Sequence, residues 1–177
     1  MNVGNTNIDS ILIGRDSRGY FLMARGSIRA SLCYPLREAL LAQLDVTADV
    51  PAVYVDLTEC RYMDSTFIGL LVAIDKKLRK GSGGRIHLLR PTPECMDILE
   101  QIGLKSFLLI EERDVQAPAM AVLAPNTEKP GADFILKTHE ALMETSEEAR
   151  RKFALLKETL EQKLKGSEKP PRGNPEE

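Results

Sequence analysis

The sequence predicts a mixed α/β domain with a mostly parallel sheet and an antiparallel hairpin at one edge. Three observations predict this class. Short β-prone runs alternate with helical stretches between residues 8 and 115, and the first two runs are separated only by turn residues. Residues 53–57 form a dense apolar, β-branched run that is typical of a strand buried on both faces. We expect about five strands, followed by a C-terminal helical extension.

The N-terminal half is predicted to run strand, strand, helix, strand. Residues 8–13 and 20–24 flank the turn residues 15–19, which predicts a β-hairpin. Over residues 34–44 the leucines recur at three- and four-residue steps, which predicts the first helix. The buried strand at residues 53–57 follows, so this helix connects two strands of the sheet.

The same alternation continues to residue 115. Residues 67–80 carry apolar side chains at helical spacing and end in basic residues, which complement the helix dipole. Residues 86–89 predict a strand, and Thr-Pro-Glu at 92–94 places an N-cap, a first-turn proline and an acid in the order that begins a helix. Residues 107–110 predict the last strand. The domain is therefore expected to span residues 8–115.

Two segments and a tail follow this domain. Residues 116–131 contain three prolines, which predicts a linker or an extended strap. Residues 132–165 repeat apolar side chains every seven positions, which predicts a helical extension with a break near Ser146. Its apolar stripe can dock on the domain or form a homodimer with a second copy, and the sequence leaves both arrangements open. Residues 166–177 contain three prolines and no large apolar residue, and are expected to be disordered.

The composition disfavours several classes of function. The 24 basic and 26 acidic residues give a net charge of −2, which disfavours non-specific binding to nucleic acid. Three widely separated cysteines support neither a disulfide framework nor a zinc site, and they favour a reducing compartment. No apolar run approaches the ~18 residues of a membrane span. We expect a cytoplasmic protein without a metal, a cofactor, a nucleic-acid partner or a membrane span.

The most specific segment is residues 53–71, where a buried strand is followed by a short connection and an amphipathic helix. Asp64, Ser65 and Thr66 stand at the start of that helix. Small polar side chains there can cap free backbone N–H groups. The same N–H groups, together with the helix dipole, can hold a phosphate attached to Ser65. From the residues alone, simple capping accounts for the pattern.

The motif Met-Asp-Ser-Thr-Phe-Ile-Gly at residues 63–69, preceded by Asp-Leu at 56–57, resembles the STAS domain of anti-sigma-factor antagonists. In that family an Asp-Ser pair opens a helix, a glycine lies four residues after the serine, and a partner kinase phosphorylates the serine. The element order over residues 8–115 is also similar to a STAS domain. The chain departs from the family at Phe67, where a small residue is usual, and at Gly-Ser-Ile-Arg, residues 26–29.

The resemblance implies a STAS-like fold and a phosphorylation-controlled antagonist that is not an enzyme. Unphosphorylated at Ser65, the protein would bind a serine-kinase anti-sigma factor and so free a sigma factor. Phosphorylation would release the kinase, and a phosphoserine phosphatase would reverse the change. Thr66 is the second candidate for the phosphate, because it is adjacent and hydroxylated. The implied partner-binding residues are Asp56, Asp64, Ser65, Thr66, Phe67 and Ile68.

Several alternatives stay open at this stage. Asp56 can bond backbone N–H groups of the loop that follows it, or contact the kinase. Asp64 can cap the helix, orient the Ser65 hydroxyl, or bind basic groups of the partner. The alternative function is a constitutive STAS scaffold subunit of a membrane-transport or sensory complex, in which Asp64 and Ser65 only shape an interface.

Catalysis is the least supported function. His87 lies in a predicted strand and His139 in the extension, so no Ser-His-Asp or Cys-His arrangement can be built, and both are expected to be structural or exposed. No acid–base pair or metal set emerges. The cysteines are expected to pack as small apolar residues, and only Cys95, close to a helix start, is expected to have a lowered pKa.

Overall fold

The computed structural model describes residues 8–46, 50–125 and 130–167. The predicted order of the first five strands and three helices is confirmed, and a sixth strand and two helices follow it. The elements are, in order, β1 (Ser10–Asp16), β2 (Gly19–Ile28), α1 (Ala30–Val46), β3 (Ala52–Met63), α2 (Ser65–Lys80), β4 (Arg85–Leu89), α3 (Pro93–Gln101), β5 (Leu109–Glu111), β6 (Met120–Val122), α4 (Ala132–Met143) and α5 (Glu147–Ser167).

One mixed sheet runs through the domain in the order β5-β4-β3-β2-β1-β6. Strands β2, β3, β4 and β5 are parallel to one another, while β1 is antiparallel to both β2 and β6. The predicted hairpin joins β1 to β2, and Asp16 pairs with Gly19 across a two-residue loop. Gly19 has a φ of 132°, a conformation that favours glycine. The edge of the sheet is therefore antiparallel and its centre is parallel, as predicted.

Strand β3 is longer than the predicted run of residues 53–57 because one neighbouring strand continues to pair with it up to its C-terminal end. Strand β2 pairs with β3 as far as Met63, whereas β4 pairs only as far as Asp56. Beyond that point the start of α3 lies beside β3, and the Thr92 hydroxyl donates to the carbonyl of Cys60 at 2.7 Å. The chain emerges from this extended strand directly into α2.

Strand β6 lies in the segment that the sequence predicted as a linker or an extended strap. It pairs with β1, and Leu12 stands opposite Val122 in the register. The sheet thus has six strands rather than about five. A run of three residues between Pro118 and Pro125 is too short to carry a period of its own, so only its pairing with β1 identifies it as a strand.

The main core lies between the sheet and the helices that connect its parallel strands. The connections from β2 to β5 all step in one direction across the sheet, so crossovers of the usual right hand place α1, α2 and α3 on one face. Inside this core, the Asp75 carboxylate of α2 is fully buried. Its Oδ1 accepts hydrogen bonds from the Ile86 N–H at 2.9 Å and from Arg85 Nε at 3.1 Å, and its Oδ2 lies 2.6 Å from Arg79. This carboxylate therefore joins α2 to the start of β4.

The last two helices, α4 and α5, form a C-terminal helix pair that packs on the same domain. At one end, Phe134 of α4 contacts the ring of Tyr34 edge-on, with centroids 6.0 Å apart. At the other end, Lys76 of α2 donates to the carbonyl of Ala141 at 3.2 Å and pairs with Glu144. Docking on the domain is thus the arrangement seen, out of the two that the sequence left open.

The helix pair breaks at residues 144–146, in the region where the sequence predicts a break. The capping side chain is Ser146, which accepts a hydrogen bond from the Ala149 N–H at 3.0 Å and donates to the carbonyl of Ile102 at 2.9 Å. This second bond fixes the start of α5 to the end of α3. Helix α5 continues to Ser167, and the rest of the predicted tail lies outside the described residues.

Candidate functional site

Asp64 joins the starts of two helices at the end of β3. Its Oδ1 accepts a hydrogen bond from the Phe67 N–H at 2.8 Å, which makes Asp64 the N-cap of α2. Its Oδ2 accepts from the Ala30 N–H at 2.8 Å, at the first residue of α1. Its own N–H donates to the carbonyl of Ile28 at 3.0 Å. These bonds hold Ser65 in a fixed position as the first residue of α2.

Ser65 is half-buried, and its hydroxyl contacts a histidine of α4. Ser65 Oγ lies 2.8 Å from His139 Nε2, and His139 Nδ1 lies 2.6 Å from the carbonyl oxygen of Ile135. A carbonyl oxygen can only accept, so Nδ1 carries the hydrogen of the neutral ring. Nε2 is then an acceptor, and the Ser65 hydroxyl donates to it. The hydroxyl hydrogen of Ser65 is therefore engaged by the C-terminal helix pair.

The imidazole of His139 is enclosed by protein. The residue is 1% exposed, and its ring lies edge-on to Phe153 of α5 at 5.1 Å between centroids. Burial lowers the pKa of His139 from its ordinary value of 6.5, although the Ile135 carbonyl and the Asp64 carboxylate act in the opposite direction. The ring is therefore neutral at pH 7, in agreement with the hydrogen bonds that it makes.

Ser65 and His139 have the separation of a nucleophile and a general base, a pairing that the sequence could not indicate. In a catalytic triad a carboxylate accepts a hydrogen bond from the histidine, whereas here the acceptor is the Ile135 carbonyl oxygen. The ring lies beneath α5, so a substrate in this conformation cannot reach both groups. The pair therefore acts as a contact between two elements.

Acidification is expected to loosen this contact. Because burial lowers the pKa of His139 in the folded chain, the stability from the neutral ring is complete above about pH 6.5 and is lost as pH falls through the lowered value. Amide hydrogen exchange in α4, corrected for its intrinsic pH dependence, should be faster at about pH 5.5 than at about pH 7.5. His139→Gln cannot titrate and should show no such increase. An equal increase in both proteins would assign the effect to another group.

A cavity of about 290 Å³ adjoins Ser65 between α2, α3 and α5. Within the part of the chain that the structure describes, Lys152 is the one basic side chain that lines it. The cavity is partly open to solvent, and the side chain of Ser65 lies on its wall. Its lining residues are Tyr62, Met63, Ser65, Ile68, Ile98, Gln101, Ile102, Lys152 and Phe153.

The other predicted partner-binding residues are mostly covered. Thr66, Phe67 and Ile68 are 5%, 1% and 1% exposed, so a partner cannot reach them in this conformation. Asp56 is half-buried, accepts from the Thr58 N–H at 2.8 Å and pairs with Arg90 at 3.2 Å. Strand β3 bulges between Asp56 and Met63, and the five β2 steps that pair with this stretch span roughly 17 Å. The structure therefore does not bring Asp56 to the Ser65 site.

The remaining histidine and the cysteines occupy structural positions. His87 stacks on Tyr54, with centroids 5.0 Å apart, and its Nδ1 lies 2.5 Å from Glu111 Oε1. All three cysteines are buried. The thiol of Cys60 contacts that of Cys95, which lowers the pKa of Cys95 and raises that of Cys60. Among residues 8–46, 50–125 and 130–167, no group of three His, Cys, Asp or Glu side chains could hold a metal ion.

None of the helices in the described part of the chain is long and apolar enough to cross a membrane. No curated protein matches the sequence.

Two solved structures share the fold of the domain. One is the anti-sigma factor antagonist SpoIIAA in its unphosphorylated form, at 17% identity over 58% of this chain and 88% of that chain, with a TM-score of 0.52. The other is an anti-sigma factor antagonist from Mycobacterium paratuberculosis, at 18% identity over 63% of this chain and 92% of that chain, with a TM-score of 0.51. At these identities the likeness shows a common fold.

A family model described as "Mlab, STAS domain" matches residues 13–111, from within β1 to the end of β5. The match covers more than half of the chain and includes Asp64 and Ser65. It ends before β6 and the C-terminal helix pair, which are therefore additions to the matched unit. The chain belongs to the STAS-domain family.

Proposed function

We propose that this protein is a phosphorylation-controlled anti-sigma-factor antagonist and that Ser65 is its phosphorylation site. Unphosphorylated, it binds a serine-kinase anti-sigma factor in the cytoplasm and frees a sigma factor. Phosphorylation of Ser65 ends this binding, and a phosphoserine phosphatase restores it. The observation that carries the proposal is the position of Ser65 at the first residue of α2, directly after the Asp64 cap.

The chemistry of this position suits a phosphoryl acceptor. In the transfer, Ser65 Oγ forms a bond to the γ-phosphorus of ATP, ADP leaves, and the hydroxyl proton passes to the kinase. The new group adds about −1.5 to −2 charges at a helix N-terminus, where backbone N–H groups and the helix dipole favour an anion. Ser65 is more accessible than Thr66, which is 5% exposed. Ser65 is therefore the better acceptor of the two hydroxyls.

A binding protein accounts for this site better than an enzyme does. The Ser65 hydroxyl faces a buried histidine, so the pair cannot receive a substrate in this conformation. A phosphate on Ser65, by contrast, weakens the binding of any partner that packs against the surface around Ser65. Burying that charge without cationic partners costs several kcal/mol, so a single modification is sufficient to end a complex.

Incubation with serine kinases encoded in the same genome, followed by phosphopeptide mapping, tests the proposal. Wild type should gain one phosphate at Ser65, Ser65→Ala should gain none, and the isosteric variant Thr66→Val should behave as wild type. The kinase that modifies Ser65 should bind Ser65→Ala, and its affinity for Ser65→Asp should be lower by roughly 100-fold, which corresponds to ~2.7 kcal/mol. Ser65 that stays unmodified with every kinase would support the constitutive scaffold instead.

A further inference from the structure

The C-terminal helix pair covers the surface that surrounds Ser65. Helix α4 crosses α2 at Gly69, where a Cβ would stand 2.3 Å from the carbonyl oxygen of Thr138, so the two backbones are in direct contact. One turn earlier on α2, Ser65 contacts His139. Phe153 of α5 closes over that histidine. A second protein can pack on this part of α2 only after the helix pair has moved away.

The contact depends on the chemical state of Ser65. The Ser65 hydroxyl donates its hydrogen to His139 Nε2 across 2.8 Å, and Nδ1 is already committed to the Ile135 carbonyl. A phosphoryl group on Oγ removes that hydrogen and places a phosphorus atom and three oxygens beside the ring. A gap of 2.8 Å between Oγ and Nε2 cannot hold them. The serine must then turn away from His139, or α4 must leave.

The backbone N–H groups at the start of α2 favour a phosphate whether or not the helix pair is docked, and the docked pair itself adds little further compensation for the charge. The Asp64 carboxylate is the neighbouring residue and repels a phosphate. Lys152 lines the adjoining cavity, but it lies on the exposed side of α5. In the unmodified protein burial lowers the pKa of His139, so its ring could pair with a phosphate only by gaining a proton. Because the contribution of the helix N-terminus is common to both forms, the difference lies in solvation: the docked pair keeps water from part of the dianion, whereas in the open form water solvates it fully.

We propose that the C-terminal helix pair is an intramolecular occupant of the Ser65 surface, held by the unphosphorylated hydroxyl and released by phosphate on Ser65. This inference rests on the proposed function, because the serine that accepts the phosphate is also the residue whose hydroxyl holds the docked helix pair. The docked pair and the kinase compete for α2, so the kinase acts on the open form. Phosphorylation then prevents the helix pair from closing again.

Full-length protein carrying phosphoserine at position 65, incorporated during synthesis, tests the release without any kinase. Amide exchange in α4 should be at least tenfold faster than in the unmodified protein, while β3 and β4 keep their protection. Phosphoserine at position 106 is the matched control, since Ser106 is exposed in the turn before β5 and should leave α4 unchanged. Ser65→Ala, which removes one hydrogen bond and adds no charge, should have a smaller effect.

A crosslink gives a second measurement of docking. In Lys76→Cys/Glu144→Cys, a bismaleimide should join α2 to α4, because these two side chains are in contact. The native cysteines are buried and should not react at a comparable rate. With phosphoserine at position 65, the crosslinking rate should fall at least tenfold.

Unchanged or slower exchange in α4, or unchanged crosslinking, would overturn the proposed release. Slower exchange in particular would mean that His139 and Lys152 hold the phosphate within the docked form. Neither measurement uses a kinase. If both show release while no kinase modifies Ser65, the proposed function fails and the coupling between Ser65 and the helix pair stands.

Discussion

Gly69→Ala is expected to separate the C-terminal helix pair from α2 and to expose Ser65. The added methyl would lie 2.3 Å from the Thr138 carbonyl oxygen and 2.7 Å from its carbonyl carbon. Both are backbone atoms, so α4 must shift as a unit. Overpacking of this kind costs ~1–3 kcal/mol, while alanine improves the intrinsic helix propensity of α2 by at most ~1 kcal/mol. The domain should therefore stay folded while docking weakens.

Amide exchange in α4 measures this effect, with an expected acceleration of roughly tenfold per 1.4 kcal/mol of lost docking energy. Gly166→Ala is the matched control, because Gly166 is also a helical glycine and a Cβ there meets nothing within 4 Å. If α4 keeps its protection in Gly69→Ala, the close approach of the two backbones does not determine docking, and the region around His139 must hold α4 by itself.

Asp75→Ala is expected to destabilise the whole domain by ~1–3 kcal/mol, the cost of leaving a buried hydrogen-bond donor without its acceptor. The substitution leaves the Ile86 N–H without an acceptor and the guanidinium of Arg85 without its buried partner. Because Asp75 and Ile86 are fully buried, water cannot replace the bond to the Ile86 N–H without disrupting α2 and β4.

Urea unfolding followed by circular dichroism measures this loss. Asp133→Ala is the control, since the pair between Asp133 and Lys137 is 63% exposed on both sides and should contribute less than ~1 kcal/mol. Asp75→Asn keeps an acceptor and should fall between the two. A loss for Asp75→Ala as small as that for Asp133→Ala would contradict a structural role for the buried carboxylate.

The sequence predicts an element well where the element's own residues determine it. The apolar spacing over residues 67–80 predicts α2, and the run at residues 53–57 predicts the first half of β3. The second half of β3 is set by its neighbour β2, which pairs with it to Met63. Strand β6 is set by β1 in the same way. Pairing between distant segments leaves no periodic pattern in three residues, so these parts are not predictable from local sequence.

The candidate site also contains contacts that the local sequence can predict and contacts that it cannot. Capping by Asp64 is local and could be predicted, because its acceptor oxygen and the Phe67 N–H lie three residues apart. The contact between Ser65 and His139 spans 74 positions. One signal was available, since His139 lies on the apolar face of α4, four residues after Ile135 and three before Leu142. That spacing predicts burial, but it does not indicate which surface covers the ring.

Strand β6 determines how the C-terminal helix pair can move. It pairs with β1, so only residues 123–131 of the sequence connect the sheet to α4. A released helix pair therefore remains close to α2, at an effective concentration in the millimolar range. A partner that binds α2 must compete with this local concentration rather than with the much lower concentration of protein in solution. This short connection favours rapid closing of the helix pair, whereas the rate of opening is set by the contacts that the pair makes with α2.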